Sequence, residues 1–139
     1  MSLIVDSSAA LAWVHEDEKN PGTDAVLDRV VDQGAIVPSL WHLEVANGLQ
    51  VSIRRGRISE GNRDTALAFL ASLDIEVDPD TTRHAWSDTL ALSTRFNLTA
   101  YAAAYLELAH RRVLPLASLD GELRAAASTL GVDVLPTQA

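Results

Sequence analysis

The stretch LIVDSSAALAW, residues 3–13, decides how the rest of the chain is read. Leu3, Ile4 and Val5 form a short apolar run that ends on Asp6, and beyond it Leu11, Ala12 and Val14 recur at helical spacing. The switch predicts a strand feeding a helix, with Asp6 or Ser7 at the helix cap.

The same alternation continues along the chain. Val26, Leu27, Val30 and Val31 in TDAVLDRVVDQG predict a helix closed by a left-handed Gly34, and AIV (35–37) reads as a second buried strand stopped by Pro38. Ser39 is a candidate cap for a longer helix, LWHLEVANGLQVSIRRG, whose Leu40, Leu43, Ala46 and Leu49 form one stripe and which Gly56 closes. Ser59 opens a helix through TALAFLASL, and IEV (75–77) is a third strand. One helix is expected from about Asp80 to Phe96 and another over 99–112. VLPLAS supplies a fourth strand, LDGELRAAASTLG a last helix and VDVL a final strand. Short apolar strands separated by helices predict an α/β fold with a mostly parallel sheet, in which sites gather at the carboxyl ends of the strands.

With 139 residues, 47% of them hydrophobic, one domain spanning 1–139 is expected to fold without staples. The absence of cysteine excludes disulfides and Cys-bound zinc and leaves carboxylates and four histidines for any metal chemistry. His15, His42, His84 and His110 show no i, i+4 ligand spacing. A net charge of −8 argues against tight non-specific nucleic-acid binding, though not against an enzyme that grips its substrate through metal ions and a local basic patch. No apolar run approaches the roughly 20 residues that span a bilayer. The start also lacks a basic region before its apolar stretch, so a soluble, cytoplasmic protein is expected.

Three acids stand in informative places. Asp6 and Asp120 each follow an apolar strand and precede a helix, a context that suits either a helix cap or a site at the sheet edge. Glu44 lies on a helix beside apolar neighbours, with Trp41 and Asn47 three residues either side; a carboxylate there needs a cation, a metal or an arginine such as Arg63 or Arg83. Three converging carboxylates suit Mg²⁺ or Mn²⁺, whose matching chemistry is phosphodiester hydrolysis.

These pieces resemble the PIN-domain ribonucleases, and most closely the VapC-type toxins of type II toxin–antitoxin pairs. LIVDSSAALAW, VPSLWHLEVANGL, LTAYAAAYLELA and LPLASLDGEL occur in the family's order over about residues 3–135. The resemblance implies a three-layer sandwich, with a five-stranded, mostly parallel sheet flanked by about seven helices. It also implies an endoribonuclease that holds one or two Mg²⁺ or Mn²⁺ ions on acids matching Asp6, Glu44 and Asp120. Ser8 and Ser118 match the small hydroxyl positions beside the first and last acids, and Asn47 belongs to the middle motif. A homodimer, a cognate antitoxin partner and an RNA substrate are implied as well.

The family's third acid falls within LT-x-YDA-x-Y, where this chain has Tyr101-Ala102-Ala103. Neither Glu107, about 140° further around the helix, nor Asp88 on the preceding helix is spaced to replace it. A degenerate natural member or a deliberate active-site substitution accounts for Ala102, and the three intact acids favour the second; the chromosomal codon decides between them. Impaired or absent activity is therefore expected, with a non-catalytic RNA- or antitoxin-binding module as the alternative. A haloacid-dehalogenase-type phosphatase is a weaker alternative, because position 8 is serine and Lys19 is the only lysine. Arg54, Arg55 and Arg57 form a dense basic patch that suits RNA phosphates or an acidic partner, or simply a solvated helix end. Trp13, Trp41, Trp86, Tyr101 and Tyr105 suit core or interface positions better than base stacking and receive no catalytic role.

Overall fold

The computed structural model of the chain describes residues 1–137. Strand β1 (Leu3–Val5) is buried over its whole length, as an apolar run without alternation requires when both faces of the sheet are covered. It is the middle of five strands, in the order β3 (Ile75–Val77), β2 (Ala35–Val37), β1, β4 (Leu116–Ala117) and β5 (Val134–Leu135). Every pairing is parallel, so the expected mostly parallel sheet is wholly parallel among the described residues. The chain winds outward from β1 through β2 to β3, then returns to place β4 on the other side of β1. The direction of winding therefore reverses between β1 and β4, where an open α/β sheet forms a cleft at its carboxyl edge.

Among the described residues eight α-helices flank the sheet, against an expectation of about seven: α1 (Ser7–Val14), α2 (Pro21–Gln33), α3 (Trp41–Arg54), α4 (Glu60–Ala71), α5 (Thr81–Ala85), α6 (Asp88–Phe96), α7 (Ala100–Arg112) and α8 (Gly121–Leu130). The surplus comes from the segment expected to be one helix over 80–96, which breaks at Trp86 and Ser87 into α5 and α6. Apolar periodicity cannot register so short a break, and both pieces then pack against α7.

Two further expectations fail in α3. Ser39 does not cap it: the cap position is Leu40 without a side-chain bond, and the Ser39 N–H instead donates to Thr81 Oγ1. The buried face is Trp41, Val45, Leu49 and Ser52, whereas Leu43 is 77% exposed. Both apolar rows satisfy the helical period, and the row carrying the indole goes inward because it removes the larger apolar area from water. Val31 of α2 likewise faces solvent, its helix burying Thr23, Val26 and Val30.

Gly48 lets α3 approach α1 closely, since a Cβ there would collide with Leu11 Cδ1. Leu11 and Gly48 each lie one helical turn beyond Ser7 and Glu44, so this contact also brings the start of α1 to the start of α3.

Asp78, directly after β3, is fully buried and anchors the far end of α7. Arg111 Nη2 donates to its Oδ2 at 2.8 Å and Arg112 Nη2 to its Oδ1 at 2.7 Å, while Arg111 Nε also donates to Glu107 Oε2 at 2.8 Å. Burial alone would raise the Asp78 carboxyl, but the two guanidinium groups outweigh it and hold it down at about 2. A depressed pKa contributes stability that is complete above the unfolded value and is lost as pH falls through the folded one. Asp78→Asn is therefore expected to lower stability by about 2 kcal/mol at neutral pH, somewhat less than a fully buried pair because both arginines reach water. Denaturant unfolding of both chains should show this difference shrinking as pH falls from about 4 towards 2.

Candidate metal centre

Asp6 follows directly on β1 and caps α1, so the cap considered from sequence is present at the carboxyl edge of the sheet. Its side chain is buried at the carboxyl edge of the sheet, and three donors hold it. Ser8 O–H reaches Oδ1 at 2.7 Å, the Ala9 N–H reaches Oδ1 at 2.9 Å, and Ser118 O–H reaches Oδ2 at 2.6 Å. The two serines also tie the neighbouring strand in, since Ser8 Oγ accepts from the Leu119 N–H at 2.9 Å and Ser118 Oγ from the Asp120 N–H at 3.0 Å. The predicted supporting positions Ser8 and Ser118 thus orient the first acid directly.

Asp120 caps α8, its Oδ1 accepting from the Glu122 and Leu123 N–H groups at 3.0 and 3.2 Å. It is exposed, and its charge acts on buried Asp6. Glu44 lies in the first turn of α3, and its Oε1 accepts from Tyr105 O–H at 2.6 Å and Ser7 O–H at 3.5 Å. No arginine pairs with Glu44 among the described residues: Arg63 binds Gln50 and Asp64 instead. All three acids sit at helix N-termini, whose partial positive charge favours carboxylates.

Burial is the main force raising the Asp6 carboxyl above its usual value; its hydrogen bonds oppose this, and the charge of Asp120 adds to it. Burial and the Glu44 carboxylate together push the Tyr105 hydroxyl far above the ordinary tyrosine range, so it remains a donor. The same phenol also feels the charge of Asp6, which puts Glu44, Tyr105 and Asp6 in one neighbourhood.

Ala102 lies in the first turn of α7, its N–H donating to Thr99 Oγ1 at 3.1 Å. Tyr105 is three residues further on, so position 102 occupies the helix face that reaches Glu44. Glu107 points elsewhere, into the Arg111 and Asp78 cluster, and Asp88 is exposed beside His84. Neither replaces the missing acid. Asn47 is exposed and makes no side-chain hydrogen bond among the described residues.

Among the described residues, no three acids or histidines stand close enough to enclose a single ion. The donor set nonetheless fits Mg²⁺ or Mn²⁺, which are held by one or two carboxylates and complete their shells with water and phosphate oxygens. Glu44 Oε2 and Asp120 Oδ2 carry no hydrogen bond among the described residues and are available as ligands.

Sequence reasoning missed Asp78, although it follows its strand just as Asp6 does, and it assigned no role to Ser7 or Tyr105 at Glu44. Lys19 is on the surface and pairs with Glu16, which leaves the phosphatase alternative without its lysine. Arg57 is bound by Asp17 and Glu18, so the basic patch presents chiefly Arg54 and Arg55.

No family model matches the chain. Over 123 residues, covering 88% of this chain and 92% of its counterpart, it is 28% identical to Ribonuclease VapC3 of Pyrobaculum aerophilum. This chain is a homologue of a VapC-type ribonuclease. The crystal structure of PAE2754 from the same organism matches the fold with a TM-score of 0.71 at 23% identity, covering 99% of this chain and 91% of that one. The three-layer α/β architecture is thereby established. Among the described residues, no helix is long and apolar enough to cross a membrane.

A carboxyl whose pKa is raised by folding costs stability as pH climbs above its unfolded value. Asp6→Asn is expected to stabilise the chain at neutral pH by on the order of 1 kcal/mol, the gain fading as pH falls from neutral towards about 4. Thermal unfolding across that range checks it, and added Mn²⁺ should raise the midpoint of the parent more than that of the variant.

Proposed function

We propose that this chain is a toxin-type endoribonuclease of a toxin–antitoxin pair whose divalent-cation site lacks one of its acids. What supports this reading is buried Asp6 at the reversal point of the sheet, with the charge of Asp120 acting on it and with Glu44 tied to Tyr105, one helical turn from position 102. The VapC3 relative supports it, being named a ribonuclease.

In this reading Asp6, Glu44 and Asp120 hold Mg²⁺ or Mn²⁺. When bound, the ion supplies positive charge at the scissile phosphate and makes a nearby water more acidic. Ser8 and Ser118 keep the Asp6 carboxylate aimed into the cleft, and the α8 N-terminus fixes Asp120. Arg54 and Arg55 are free to meet RNA phosphates or an acidic partner segment. The negative cleft suits an antitoxin that inserts a basic side chain, and the resemblance adds a homodimer working in the cytoplasm. Asn47 stands one turn beyond Glu44 as a supporting polar group.

Ala102 also favours a second reading, in which the chain binds RNA or antitoxin without cleaving. Restoring the acid separates the two. An aspartate at 102 would occupy the first turn of α7, where a carboxylate is favoured and the Thr99 cap persists. Ala102→Asp is expected to raise Mg²⁺-dependent RNA cleavage by roughly an order of magnitude or more, and Asp6→Asn in that background to abolish it. A folded Ala102→Asp chain that cleaves no better in a gel-based assay would rule out the enzymatic reading and leave the binding module.

A further inference from the structure

The three acids differ in how firmly they are held. Asp6 accepts three hydrogen bonds and Asp120 two backbone N–H groups, but Glu44 relies on one short bond. That bond comes from Tyr105, 61 positions away in sequence, while the Ser7 contact to the same oxygen is long at 3.5 Å.

Tyr105 is well built for aiming a carboxylate. Its ring is 2% exposed and packed in the core, so the hydroxyl is a rigid donor that costs little further ordering. Its one proton is committed to Glu44 Oε1, which leaves Oε2 without a hydrogen bond among the described residues. A bond to an ionised acceptor is about twice as strong as a neutral one, and Glu44 itself is only half-buried on a helix that could present it in several rotamers.

We propose that Tyr105 is a positioning residue that turns Glu44 into the acid pocket, so that cation affinity depends on its hydroxyl. The inference rests on the cation-site reading above and adds a residue that acts through Glu44 rather than on the substrate.

Mn²⁺ binding measured by isothermal titration calorimetry tests it in the full chain carrying Ala102→Asp, with Tyr105→Phe, Glu44→Gln or both added. Tyr105→Phe is expected to weaken Mn²⁺ binding roughly tenfold, with far-UV circular dichroism unchanged and cleavage recovering at saturating Mn²⁺. In the Glu44→Gln background the same change should cost nothing more, which a merely structural role would not produce. A crystal structure of the Tyr105→Phe chain should show the Glu44 carboxylate turned out of the pocket. An unmoved Glu44, unchanged affinity, or a full penalty in the Glu44→Gln background overturns the positioning role and leaves the function intact. Absence of Mn²⁺ binding by the Ala102→Asp chain itself removes the cation site and this inference together.

Discussion

The buried Asp6 carboxylate organises this molecule. It terminates the central strand, caps α1, and accepts hydroxyl protons from Ser8 on its own helix and Ser118 on the adjoining strand. Through those serines it engages the Leu119 and Asp120 N–H groups, so β1 and β4 are laced together where the sheet reverses its winding. A carboxylate without those donors would be too costly to keep in that place. With them, it sets the floor of the cleft and the path of the chain into α8.

The remaining acids reach the cleft by different routes. Asp120 follows from the same strand pair, being the cap of the next helix. Glu44 arrives through helix packing: Gly48 admits Leu11, the first turns of α1 and α3 draw together, and α7 supplies Tyr105 from above. Burial raises the Asp6 carboxyl, the charge of Asp120 adds to it, and the hydroxyl and backbone donors offset this only in part.

Most strands and most helix ends were legible because their signals are local. Asp6 and Asp120 stood out as strand ends, Ser59 opens its helix as its sequence suggests, and the last helix stops at Gly131, where glycine accepts a left-handed backbone. What failed depended on choices between equivalent local patterns. Two apolar rows competed on α3, and a break at Ser87 left the periodicity of 80–96 almost untouched.

Asp6 and Asp78 show the division most clearly. Each follows an apolar or half-apolar strand of three residues, and the chain alone offers no means of telling them apart. Sequence by itself determined the α/β alternation, the register of four motifs and the alanine at 102. Only the tertiary structure decided which strand-end acid meets arginines and which meets another acid. Arg111 and Arg112 come from the end of α7 to neutralise Asp78, while Asp6 has Asp120 beside it and hydroxyl groups for support. The reason is physical: a carboxylate's role is set by the charges within a few ångströms of it, and those charges come from segments distant in sequence.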